Sequence, residues 1–216
     1  MRDSFHKDLD TISEQLVEMT RLARLAMSGA TTALLEADLP LAESIIAADQ
    51  QIDALSRELD KRSVDVLARQ QPVATDLRMV VTAMRMSSDL ERMGDLAKHL
   101  AEVARRRYPD CAIKPVMRST VVQMGQVAER MVAKTGSVIA GHDVDTALAL
   151  ESDDDEMDRL HEHVFNMLTN SNWNHGTEAA VDATLVARYY ERYADRAVLV
   201  GRGVVYLVTG RFKQQS

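Results

Sequence analysis

An all-α fold, built as two tandem three-helix bundles related by an internal repeat, is what this sequence predicts. Three observations carry that expectation. First, Asp89-Leu90-Glu91-Arg92-Met93-Gly94-Asp95 returns as Tyr189-Tyr190-Glu191-Arg192-Tyr193-Ala194-Asp195, both copies containing Glu-Arg-x-x-Asp, with 191 − 91 = 100 positions between them in a chain of 216 residues. Second, the apolar stripe around the first copy (Met86, Leu90, Met93, Ala97, Leu100, Ala104) recurs at the same offset as Val186, Tyr190, Tyr193, Ala197, Val200 and Val204. Third, glycine and proline are scarce, 9 and 4 residues, and they fall where helices should break.

In order along the chain, helix one is expected after Asp3 or Ser4 as N-cap, with Leu9, Ile12, Leu16, Met19 and Ala23 on one face, to about Ala37. Asp38, with Pro40 in the first turn, opens helix two, which carries Leu41, Ala48, Ile52, Leu55, Leu59 and Val66. That helix stops before Gln71-Pro72, because proline disfavours a helical residue ahead of it. Helix three begins near Val73 and holds the first acidic motif; residues 108–115 then read as a linker. Helix four follows Pro115, with Val122, Val127, Met131 and Val138, and ends at Gly141 as a C-cap. Helix five runs from Asp143 to about Asn170, a polar loop with the single Trp173 follows, and helix six extends to Gly210. The units are therefore residues 1–108 and 115–216.

Helices two and five match at a different offset, Asp49-Gln50-Gln51-Ile52-Asp53 onto Asp154-Asp155-Glu156-Met157-Asp158, and the difference of five residues is expected in a loop. Asp38 maps onto Asp143 in the same register. Each unit then spans roughly 45 Å at 1.5 Å per helical residue.

Composition bounds the function. With 46% hydrophobic and 27% charged residues the chain can build a core. A net charge of −7 argues against a nucleic-acid partner, which needs clustered Lys and Arg. The single cysteine, Cys111, has no internal disulfide partner, and Met1-Arg2-Asp3 opens no apolar signal segment, so a cytoplasmic protein is expected. Its longest apolar stretch, from Ala197 to Thr209, is interrupted by Arg202, which leaves only peripheral membrane association through partners.

The chemistry lies in paired carboxylates. Asp49/Asp53, Glu91/Asp95, Asp154/Asp158 and Glu191/Asp195 are all i,i+4 pairs, a spacing that stacks like charges on one helix face. One such pair is normally a solvated surface. Four in register within a repeat offer two all-oxygen sites to hard or intermediate cations: iron, manganese, magnesium or calcium, with zinc possible. Helical steps of 100° place Glu91 and Asp95 off the apolar seam, hence on the bundle surface. His99 has Leu199 as its counterpart and is expected in solvent. His161, three residues after Asp158, has Ser56 as its counterpart, and the acidic run Glu151 to Glu156 reads as further ligands or a solvated face. No nucleophile-base pair or phosphate loop argues for an enzyme.

These motifs resemble the PhoU phosphate-transport regulators across essentially the whole chain. The resemblance rests on Met1-Arg2-x-x-Phe5, Asp49-x-x-Ile52-Asp53, Arg69-Gln70-Gln71-Pro72-Val73-Ala74-x-Asp76-Leu77-Arg78, Asp89-Leu90-Glu91-Arg92-x-Gly94-Asp95, Glu191-Arg192-x-x-Asp195 and Thr209-Gly210. It implies a homodimeric, non-enzymatic regulator that links a phosphate ABC transporter to a sensor histidine kinase and represses the phosphate-starvation response. It also implies that Asp49, Asp53, Glu91 and Asp95 form one metal site and Asp154, Asp158, Glu191 and Asp195 the other, with iron or zinc favoured. Ala194 stands where the family keeps glycine and Tyr190 replaces leucine, so a bulky tyrosine is expected to alter access to the second site. The competing reading is a ferritin-like carboxylate metalloprotein with oxidase or storage activity, disfavoured because only one Asp-x-x-His pair is present.

Overall fold

A computed structural model describes residues 2–211, and side chains from Lys7 onward; Met1 and the Phe5 side chain lie outside the described residues. Six helices follow one another: α1 (Arg2–Glu36), α2 (Leu39–Gln70), α3 (Ala74–Arg107), α4 (Pro115–Gly141), α5 (Val144–Thr169) and α6 (Gly176–Thr209). Asp38 caps α2 by accepting from Leu41 N at 3.0 Å, and Asp143 caps α5 by accepting from Thr146 N at 3.1 Å, so the repeat extends to the capping chemistry.

Three boundary expectations need correction. Since no glycine or proline interrupts the opening residues, α1 begins at Arg2 and Asp3 and Ser4 sit within it. The left-handed position after α4 is taken by His142, at φ 52°, while Gly141 is the last helical residue. The offset between repeats is absorbed chiefly by helix length, since α2 has 32 residues and α5 has 26.

The predicted seams of α1, α3 and α6 are the core: Leu9, Ile12, Leu16, Met19 and Ala23 of α1 are buried, as are all twelve seam positions of α3 and α6. On α2, by contrast, only Ile52, Leu59 and Val66 of the predicted stripe are buried and Leu41, Ala48 and Leu55 are half-buried, as is Val122 on α4. What periodicity did not reveal is how the halves join. Within each unit α1 packs on α2 and α3, and α5 packs on α4 and α6; between units α1 packs on α4 and α3 on α6. Helices α1, α3, α6 and α4 therefore close a central ring, with α2 and α5 on its outer flanks. Equivalent helices cross antiparallel: on α1 and α4, Thr31 faces Gly125 and Thr20 faces Gly136. On α3 and α6, Asp89 pairs with Arg196 at 2.9 Å and Arg106 with the buried Asp182 at 3.2 Å. That is the arrangement of a two-fold axis between the halves.

The two tyrosines bridge the ring diagonally. Tyr190 and Tyr193 are fully buried; the Tyr190 and Thr31 hydroxyls share a hydrogen bond of 2.7 Å, and Tyr193 donates to the Ala23 carbonyl at 3.1 Å. Both hydroxyls are therefore spent on α1 across the centre of the ring. Among the described residues no helix is long and apolar enough to cross a membrane.

Candidate functional site

The i,i+4 spacing puts each acidic pair on one face of its helix, and the packing of α2 on α3 and of α5 on α6 turns those faces towards each other. The Glu91 carboxyl on α3 is raised above its usual range by burial and then by Asp95, Asp53 and Asp49. Asp154 on α5 is pushed up to about 7 by burial and by Asp195, Asp158 and Glu191. Glu191 and Asp195 are likewise raised, first by burial. Each predicted quartet is thus brought together in one half-buried groove on an outer flank, away from the apolar centre where ferritin-like ligands would sit.

The grooves are not preformed cages. Among the described residues no group of three or more His, Cys, Asp or Glu side chains is gathered tightly enough to hold a metal ion. Yet Asp49 Oδ1, Asp154 Oδ1 and Glu191 Oε2 are buried oxygens with no hydrogen-bond partner. Buried acceptors are normally satisfied, and a hard cation would satisfy these. The donor set fits a metal in that respect.

The two grooves differ in their own cations. In the first, Lys98 Nζ donates to Asp49 Oδ2 at 2.7 Å and stands 3.9 Å from Asp95 Oδ1. Arg92 pairs with Asp95 on its own helix at 2.9 Å. In the second, Arg188 holds Glu191 at 2.5 Å, and no lysine or arginine pairs with Asp154 among the described residues. Sequence reasoning passed over Lys98, whose partner lies on another helix; its place three residues after Asp95 was the available signal. Gly94 shapes the first groove further, since a Cβ there would stand 2.7 Å from Ile52 Cδ1 and 3.3 Å from Asp49 Oδ1. Its counterpart, Ala194, carries that methyl.

Neighbouring signals resolve differently from their expectations. His99 is half-buried under α6, 3.1 Å from Glu102 Oε2, with its ring centroid 5.3 Å from that of Tyr189. Asp153 is bound by Lys134 at 2.6 Å and by Arg130 at 3.3 Å, while Glu156 meets Arg130 at 2.5 Å, so these acids of the run tie α5 to α4. His161 Nε2 is buried without a partner, and burial followed by Arg188 lowers its pKa.

Comparison with known proteins decides the family. The PhoU domain matches residues 16–104 and again 121–204, which together cover most of the chain. The chain belongs to the PhoU family. A phosphate-specific transport system accessory protein PhoU homolog 2 from Mycobacterium tuberculosis is 44% identical over 98% of this chain and 100% of its own. The PhoU homolog 1 of Mycobacterium leprae is 42% identical over 100% of this chain and 97% of its own. Among solved structures, PhoU from Pseudomonas aeruginosa superposes with a TM-score of 0.89 at 29% identity, covering 96% of this chain and 100% of that one. The PhoU fold thus places both Glu-Arg-x-x-Asp motifs inside the matched segments.

Proposed function

We propose that this chain is a non-enzymatic regulator of inorganic phosphate uptake, acting as a cytoplasmic homodimer between a phosphate ABC transporter and a sensor histidine kinase. The supporting observation is full-length similarity to phosphate-specific transport system accessory proteins, with both acidic motifs of this chain lying inside the segments that the PhoU domain matches. In this reading Asp49, Asp53, Glu91 and Asp95 hold metal in one groove, and Asp154, Asp158, Glu191 and Asp195 in the other. The unpartnered oxygens of Asp49, Asp154 and Glu191 support it. A bound cation, iron or zinc by the resemblance and another hard divalent ion by donor type, supplies positive charge that draws the four carboxylates of a groove together.

The regulatory role is tested by deleting the gene and measuring phosphate-starvation transcripts in phosphate-rich medium. Derepression is expected; an unchanged profile sinks the role. The sites are tested by metal analysis of protein purified without chelator, with Glu91 and Asp95 replaced by alanine and, separately, Glu191 and Asp195. Each double substitution is expected to lower metal content while the helical fold is kept. Metal-free wild-type protein would mark the quartets as solvated acidic faces.

A further inference from the structure

The repeat makes the two carboxylate quartets equivalent in sequence, but it does not repeat the cation beside them. Lys98 extends from α3 across the first groove to the buried Asp49 at 2.7 Å and lies 3.9 Å from Asp95. The position one repeat later is Val198, an apolar residue buried in the core. The nearest lysine in the second half, Lys134 on α4, is bound to Asp153 instead of the quartet.

We propose that Lys98 is a tethered counter-ion that occupies the first groove, so that divalent metal loads the second groove first and enters the first only by displacing the ammonium. This inference rests on reading the grooves as cation sites and adds their inequivalence to it. The physical argument is competition. An ammonium within hydrogen-bond distance of one ligand and under 4 Å from another repels an incoming divalent ion, and it holds Asp49 in a geometry that serves nitrogen rather than metal. A tethered cation also loses less freedom on occupying the groove than a free ion does. In the second groove the only paired ligand is Glu191, by Arg188 from the solvent side, where the arginine is half exposed. Asp154 and Asp195 have no ion pair among the described residues, and Arg188, Arg196 and Arg192 act on Asp195 only from beyond ion-pair distance, so metal arriving there meets no ammonium bonded between its ligands.

The test uses the full-length chain and isothermal titration with Zn(II) and Mn(II). A variant with Glu191→Ala and Asp195→Ala isolates the first groove; one with Glu91→Ala and Asp95→Ala isolates the second. The isolated first groove is expected to bind at least about tenfold more weakly than the isolated second. Adding Lys98→Met to the first-groove protein should recover about that factor, whereas Lys98→Arg, which keeps the charge, should not. A Lys98 that only braces the helices would lower the melting temperature of metal-free protein without moving the first-groove affinity, and that result overturns the proposal. Equal affinity of the two isolated grooves overturns it as well. If neither groove binds either metal, with or without Lys98, the cation-site reading itself fails and the inference falls with it.

Discussion

Asp154 carries the penalty of the open second groove more directly than any other residue. Its carboxyl is pushed up to about 7 because burial and four nearby acids, Asp195, Asp158, Glu191 and Asp155, disfavour the charged form. The unfolded chain binds that proton only near 4, so ionisation opposes folding. The penalty is full above pH 7, shrinks as pH falls through 7, and is gone below about pH 4. Asp154→Asn should therefore raise the melting temperature of metal-free protein at pH 8, by an amount that fades towards pH 4; a pH-independent shift would assign the effect to packing. Tyr190 gives a neutral contrast. Tyr190→Phe removes the 2.7 Å bond to Thr31, which keeps its second bond to the Met27 carbonyl, so chemical denaturation should show a loss of about 1 kcal/mol. At this scale the eight carboxylates were legible because their spacing is local, i to i+4. Lys98 with Asp49 and Asp182 with Arg106 were not, since each pair joins residues far apart in sequence that only helix packing brings together.

Helix existence and order were legible because apolar periodicity and capping residues act within a few positions. Lengths were less so: nothing local distinguishes a five-residue difference in a loop from one inside a helix, and α5 took most of it. The crossings between halves were also hidden, as they depend on small residues whose partners are remote. Gly125 is one such place, where a Cβ would stand 2.7 Å from Thr31 Cγ2 and 3.3 Å from its hydroxyl. Thr31 is fixed by its bonds to Met27 and Tyr190, so it has little room to yield. Gly125→Ala should thus destabilise by about 1 kcal/mol net, overpacking outweighing the gain in helix propensity. Gly141 in the same helix has open space around it, and Gly141→Ala should stabilise by up to about 1 kcal/mol. Denaturant midpoints of the two variants moving in the same direction would refute the packing argument.

At the scale of the whole molecule, the chain should unfold as one cooperative body, because its central ring belongs to neither half. Residues 1–108 on their own would expose the faces of α1 and α3 that α4 and α6 cover. Expressed alone, that half should self-associate in sedimentation velocity, its α1 and α3 meeting copies of themselves; a well-folded monomer with a sharp melt would contradict the ring. The same antiparallel crossings carry a consequence for ancestry. A lone three-helix unit pairing about a two-fold axis is a homodimer, in which every substitution appears twice and both grooves must change together. Covalent joining of two such units lifts that obligation. Lys98 can then stand opposite Val198, and Gly94 opposite Ala194, because each is inherited once. A fused pair thereby offers selection two independent copies of one acidic groove to modify, where a symmetric dimer of single units offers only one.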